Sequence, residues 1–128
     1  MIRLGILGAA KIAPQAIIKP VQDNLQVEVQ CVAARDVSRA KIFADTHGIS
    51  TVHEHYADVI ADPAVTAVYI PLPISAHHEW TIKALEAGKH VLCEKSLALN
   101  AAEAIEMQAV AARSGLVLMD AFHYRYHP

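Results

Sequence analysis

The sequence predicts an α/β fold in which helices cover both faces of a mostly parallel, doubly wound sheet. Three observations carry that expectation. Short apolar runs alternate with helical stretches along the whole of the 128 residues, the pattern of strand–helix–strand crossovers. Hydrophobic residues make up 54% of the chain but aromatics only 5%, and an excess of small aliphatic side chains suits helices laid close against a sheet buried on both faces. A glycine, Gly8, closes the first apolar run, where such a fold turns from strand into helix.

The elements follow in order. Arg3–Gly8 reads as the first strand and Ile12–Gln22 as a helix, with Pro14 tolerated in its first turn and Pro20 limiting its end. Val27–Ala34 is a second strand. Val37–His47 is a helix with Val37, Ala40, Phe43 and Ala44 on one face, stopped by Gly48. Thr51–His53 is a short third strand, and Tyr56–Ala61 a turn or two of helix closed by Asp62-Pro63. Ala67–Ile70 is the fourth strand, halted by Pro71-Leu72-Pro73. Ser75 stands as N-cap of a helix through Ala87, with Trp80, Ala84 and Leu85 inward. His90–Cys93 is the fifth strand. Asn100-Ala-Ala-Glu103 reads as a capping box opening a helix to about Ser114, and Leu116–Asp120 is the last strand. Right-handed crossovers between such units give one doubly wound domain spanning 1–128.

Composition excludes several function classes. A net charge of −2 predicts no nucleic-acid footprint. No apolar run approaches the ~20 residues that span a bilayer, so no membrane partner is expected and a cytoplasmic, reduced protein is the simplest reading. Cys31 and Cys93 sit inside apolar segments without metal-ligand spacing. His53-x-His55 would share a face if both were in a strand, but nothing else with ligand spacing accompanies them, so no metal is expected.

Ligands of doubly wound sheets bind beyond the carboxyl ends of the strands, and three segments should meet there. Gly8-Ala9-Ala10-Lys11-Ile12-Ala13 has the G-x-G-x-x-G/A form of a dinucleotide-binding Rossmann turn, with Ala10 in place of the middle glycine. The amides from Gly8 to Ile12 and the following helix dipole would face a pyrophosphate. Next, Ala33-Ala-Arg-Asp36 through Arg39 offers both a carboxylate, which marks NAD, and guanidinium groups, which mark NADP. Arg35 and Arg39 converging on a 2′-phosphate favour NADP, since Asp36 is also wanted as the N-cap of the next helix; NAD stays open. The third segment, Cys93-Glu94-Lys95-Ser96, follows the fifth strand. Its lysine is placed to take a hydroxyl proton during hydride transfer, although a surface ion pair would look the same. His77, just beyond Pro73, is a candidate for ligand contact or for packing.

These residues carry a family resemblance. Gly5 to Ala13, Tyr69-Ile-Pro-Leu-Pro73 with His77, and Ala87-Gly-Lys-His-Val-Leu-Cys-Glu-Lys95 resemble the N-terminal domain of the glucose–fructose oxidoreductase / inositol dehydrogenase / MocA family. The stretch Ala33-Ala-Arg-Asp36 and the terminal Met119–Pro128 are most similar to its NADP-dependent dihydrodiol and xylose dehydrogenases. The resemblance implies Lys95 at the active site and Glu94 beside the nicotinamide ribose. It implies Arg35 and Arg39 on the 2′-phosphate, with Leu72, Pro73 and His77 along the cofactor and Arg125 near the nicotinamide. Two departures stand out: Ser96 replaces the proline of the family's Glu-Lys-Pro motif, and Ala10 replaces the fingerprint glycine.

Family chains continue into a second α/β domain that binds substrate, whereas this sequence stops at Pro128. The expectation is therefore the cofactor half of an oxidoreductase that moves hydride between NADP and a sugar or diol, inactive alone. An uncovered sixth-strand edge makes a homo-oligomer expected. The alternative is a non-catalytic nucleotide-binding or scaffold module. A methyltransferase sharing the glycine turn accounts for neither the arginines nor the Glu94-Lys95 pair.

Overall fold

The computed structural model describes residues 1–122. Six strands, β1 (Ile2–Leu7), β2 (Val27–Ala33), β3 (Thr51–Val52), β4 (Ala67–Ile70), β5 (His90–Cys93) and β6 (Leu118–Asp120), form one sheet in the order β3-β2-β1-β4-β5-β6. Every pairing is parallel. The order reverses beside β1, which opens a crevice between the carboxyl ends of β1 and β4.

Alternation along the strands builds two cores. Leu7, Cys31, Val68, Ile70 and Cys93 face α3 (Tyr56–Ala61), α4 (His77–Glu86) and α5 (Ala101–Ser114). Ile6, Val32 and Tyr69 face the other way, against α2 (Val37–His47) and the helical segment after β1. Neighbouring residues thus serve opposite faces, as the pleat requires. None of the helices among the described residues is long and apolar enough to cross a membrane.

The α2, α3, β4 and β5 spans agree with the sequence reading. The helix expected over Ile12–Gln22 does not form as one α-helix. Pro14–Ile18 is a π-helical turn, with the Lys19 amide bonded to the Pro14 carbonyl, followed by α1 (Lys19–Gln22). Pro20 has no N–H to give the Ala16 carbonyl, so the ladder cannot run unbroken past it and a widened turn precedes it.

Ser75 does not cap α4. A 3-10 turn, Ile74–Ala76, starts directly after Pro73, and α4 begins at His77 without a side-chain cap. β3 is a residue shorter than expected, although the His53 amide still donates to the Val32 carbonyl at 3.0 Å; at the front of α3 the Asp58 carboxylate accepts from the His55 amide at 3.1 Å. β6 starts at Leu118 because the Leu116 amide is bonded to the Ala111 carbonyl at the end of α5. At the front of α5 the Asn100 side chain accepts from the Glu103 amide at 2.9 Å, while Glu103 reaches back to the Leu99 amide at 3.1 Å.

Candidate functional site

The carboxyl ends of β1, β2 and β4 enclose a cleft of about 290 Å³. Its wall brings together Gly8, Ala9 and Ala10 from the first turn, Arg35 and Arg39 from the β2–α2 connection, and Leu72 and Pro73 after β4. Seven of the residues singled out in the sequence therefore meet in one place.

Gly8 adopts φ 113°, a conformation that side chains resist, and donates its amide to the Ala33 carbonyl at 2.8 Å. A methyl at Gly8 would also stand 3.1 Å from Leu72 Cδ2. The glycine is thus required both by the turn and by the narrowness of the cleft. Among the described residues, the amides of Ala9, Ala10, Lys11 and Ile12 donate no backbone hydrogen bond. Donors of this kind beyond a strand's carboxyl end suit an anion. Lys11 and Ile12 are themselves exposed and do not line the cleft.

Asp36 lies between the two arginines in sequence, but its carboxylate is engaged elsewhere. It accepts from the Ser38 hydroxyl and from the Ser38 amide at 2.9 Å, the N-cap of α2. Those bonds, the hydroxyl's first, hold its carboxyl below the usual carboxylate range. The guanidinium groups of Arg35 and Arg39 are exposed at the mouth of the cleft.

A second cavity of about 280 Å³ adjoins the first and shares Ala34, Arg35 and Tyr56 with it. Tyr56 packs edge-on against Trp80, with ring centroids 5.2 Å apart, and Lys83 Nζ sits 4.5 Å over the Trp80 ring. Burial raises the Tyr56 hydroxyl pKa, so the phenol stays protonated at neutral pH. Sequence reading missed Tyr56 and Trp80 as cleft residues. Both lie on helix positions that pattern alone assigns to packing, and only the juxtaposition of α3 with Arg35 exposes their second role.

Glu94 and Lys95 follow β5, beside β4 but outside the cleft lining. Lys95 is exposed, whereas Glu94 retains only 7% exposure. The Tyr69 hydroxyl donates to Glu94 Oε1 at 2.6 Å, and Glu94 Oε2 lies 3.3 Å from the Lys95 amide. Burial first, and then the neighbouring carboxylate, raises the Tyr69 pKa far above that of an ordinary phenol. Sequence analysis also missed Tyr69. A phenol within an apolar strand was the available signal, since a buried hydroxyl needs a partner.

His77 lies outside the residues that line the cleft. Its ring is fully buried, with Nδ1 2.8 Å from the Ser96 carbonyl and Nε2 2.6 Å from the Leu72 carbonyl. It ties the loop that walls the cleft, through Leu72, to the segment that carries Lys95. Arg125 lies outside the described residues, as do His123 and His127.

His53 and His55 do not act together. His55 caps α3, while His53 Nε2 lies 2.9 Å from Asp62 Oδ2. Donor atoms of Cys31, His53 and Asp62 lie within 4.8 Å of one another, a grouping that the His-x-His spacing does not suggest. Asp62 already accepts from the Ala64 amide as well, and burial pushes the Cys31 thiol up to about 12. The group holds together as a protonated thiol beside an imidazole–carboxylate pair.

Comparison with known proteins follows the same outline. Residues 2–122 match the model of the GFO_IDH_MocA oxidoreductase family with an NAD-binding Rossmann fold. The D-xylose 1-dehydrogenase (NADP(+)) 2 of Haloferax volcanii is 42% identical over 124 residues, covering 97% of this chain and 38% of that protein. The trans-1,2-dihydrobenzene-1,2-diol dehydrogenase of Sus scrofa is 39% identical over 128 residues, covering 99% and 38%. Among solved structures, KijD10, a 3-ketoreductase from Actinomadura kijaniata in complex with NADP and TDP-benzene, superposes with a TM-score of 0.94 at 39% identity. It is matched over 99% of this chain and 39% of its own. The chain thus spans about two fifths of the length of these proteins.

Proposed function

Because this chain belongs to the Gfo/Idh/MocA oxidoreductase family, we propose that its cleft holds NADP and that it is the cofactor-binding part of an oxidoreductase acting on a sugar or diol hydroxyl. One observation carries the cofactor choice: Arg35 and Arg39 open onto the same cleft as the Gly8 turn, while Asp36 is spent as a helix cap. A carboxylate occupied in this way is poorly placed to receive the ribose hydroxyls that select NAD. Two guanidinium groups suit a 2′-phosphate dianion.

The residues fit that cofactor in order along the cleft. The amides of Ala9 to Ile12 receive the pyrophosphate, and Leu72 and Pro73 form the opposite wall. Glu94 takes the nicotinamide ribose, and Arg125 serves the nicotinamide end, both assigned by family resemblance. His77 holds Leu72 and Ser96 in place from behind. Bound nicotinamide supplies a site that accepts or returns a hydride at C4. Lys95 Nζ takes the hydroxyl proton of the substrate as the carbonyl forms. Its exposure on the cleft side of β5 leaves it open to a substrate held from outside this domain. Substrate positioning contributes much of an enzyme's rate, so these 128 residues alone should bind cofactor and turn over little. An exposed β6 edge, with Met119 and Val117 partly uncovered, supports association with further copies or with another domain.

Titration with NADPH and NADH, followed by nucleotide fluorescence, tests the reading. NADPH should bind at least tenfold more tightly than NADH, and Arg35→Ala with Arg39→Ala should remove that preference while leaving NADH affinity within about twofold. Absence of binding by either nucleotide to folded protein removes the reading. Tighter binding of NADH would reassign the cofactor to NAD, and equal affinities would remove the NADP preference. Ser96 in place of the motif's proline favours a second reading, a non-catalytic nucleotide-binding module. Unchanged turnover on Lys95→Ala in a chain that also carries a substrate domain would select it.

A further inference from the structure

Tyr69 stands in the middle of β4, between Val68 and Ile70, with no exposed surface. Packing alone would be served by phenylalanine, because a buried hydroxyl loses its water and is unfavourable unless another group replaces it. The replacement here is a carboxylate, Glu94 Oε1, at 2.6 Å. Strand register explains the meeting. Tyr69 pairs with Leu92 on β5, and Glu94 is two residues further on, so the two side chains are diagonal neighbours on one face of the sheet. Glu94 in turn directly follows β5 and immediately precedes Lys95.

Glu94 gains from the arrangement as well. A carboxylate with so little exposure needs hydrogen-bond partners to hold one rotamer. Oε1 is held by the phenol, and Oε2 lies over the Lys95 amide. Tyr69 keeps its proton across the working pH range, because burial opposes the phenolate. The hydroxyl is therefore a permanent donor to the carboxylate from within the sheet.

We propose that Tyr69 is a positioning residue, whose buried hydroxyl fixes the Glu94 carboxylate at the nicotinamide end of the cleft. This rests on the reading of the cleft as an NADP site with Glu94 at the nicotinamide ribose, and it adds a residue that reaches no ligand itself. The consequence is selective. Loss of the hydroxyl should weaken contacts at the nicotinamide riboside and leave the adenosine end, held by Arg35 and Arg39, untouched.

Two ligands separate these ends: NADPH, and 2′,5′-ADP, which lacks the nicotinamide riboside. In Tyr69→Phe, NADPH should bind about tenfold more weakly, as loss of a hydrogen bond to a charged group implies, with 2′,5′-ADP unchanged within about twofold. Equal weakening of both would mark general damage to the fold and overturn the proposal, as would no change in either. If Tyr69→Phe does not fold by circular dichroism, Glu94→Gln keeps the tyrosine and tests the same carboxylate. It should lose NADPH affinity alone, and unchanged NADPH affinity overturns the proposal. Failure of the unsubstituted chain to bind either ligand would instead remove the cofactor reading on which the proposal stands. That result differs from a chain that binds both ligands but is indifferent to Tyr69→Phe.

Discussion

β5 has a lysine near each end, and the two live in opposite circumstances. Lys89, at the amino end, is buried to 9% exposure, and its Nζ donates to the Asp62 carbonyl at 2.9 Å and the Val65 carbonyl at 2.7 Å. Lys95, at the carboxyl end, is exposed beside the cleft. The same side chain is thus a fastening at one edge of the sheet and open to solvent at the other, where the proposed function makes it a proton acceptor. At the amino edge the loop after α3 must bring its carbonyls close to β5, and a buried ammonium is tolerated only because it satisfies them. At the carboxyl edge the strands end in short turns that leave polar groups facing outward, where a ligand can reach them. A shared run of sequence, Gly88-Lys89-His90-Val91-Leu92-Cys93-Glu94-Lys95, therefore splits into a half tied into the fold and a half that ends beside the cleft. His90 belongs to the first half, since its Nδ1 accepts from the Val117 amide at 3.0 Å.

The sharpest way to break this contrast is Lys89→Met, which keeps most of the stem and removes the charge. The Val65 carbonyl loses its ammonium donor and the Asp62 carbonyl keeps only the Val65 amide, so unfolding in urea should show a loss of about 1–3 kcal/mol. NADPH affinity of the folded fraction should stay within about twofold, because Lys89 lies at the end of the strand away from the cleft. A loss below about 1 kcal/mol would mean that solvent satisfies the carbonyls, and the amino edge would not be the fastening described here.

How much of this was legible beforehand depends on whether the signal was local. Gly8, Gly48 and Gly115, the Asp36 cap, the Asn100 cap and the short alternating runs are each a local rule, and they located the turn, the helix ends and the order of elements. The meeting of Gly8, Arg35 and Leu72 could also be inferred, since doubly wound sheets gather strand ends at one edge. What was not legible was long-range pairing of polar groups. Tyr69 with Glu94, Lys89 with Asp62 and Val65, and His77 between Leu72 and Ser96 are set by register and helix depth, which no short window of sequence contains. The π turn over Pro14–Ile18 was missed for a related reason. Pro20 was read as a stop, whereas the backbone adjusts upstream of it and continues into α1.

Gly8→Ala tests the carboxyl edge at its narrowest point. The residue must take φ 113° and place a methyl 3.1 Å from Leu72 Cδ2, so a loss of about 1–2 kcal/mol is expected from urea unfolding. The variant differs from Lys89→Met in a second respect. Its methyl pushes on the cleft wall, so NADPH affinity should fall along with stability, by about tenfold. A variant as stable as the parent would show that the turn relaxes, and that the glycine is present for ligand approach alone.

Lys95→Met should have the smallest effect on the fold and, for that reason, bears most directly on the comparison. It makes the same chemical change as Lys89→Met at the other end of β5, yet the ammonium removed is exposed. Surface substitutions of this kind stay within about 0.5 kcal/mol, so the urea midpoint should not move. A loss above about 1 kcal/mol would make Lys95 a second fastening and cancel the division between the two edges. An unchanged midpoint separates the two ends of β5: the buried lysine holds the strand, and the exposed lysine, to which the proposed function gives the proton, contributes nothing to holding it.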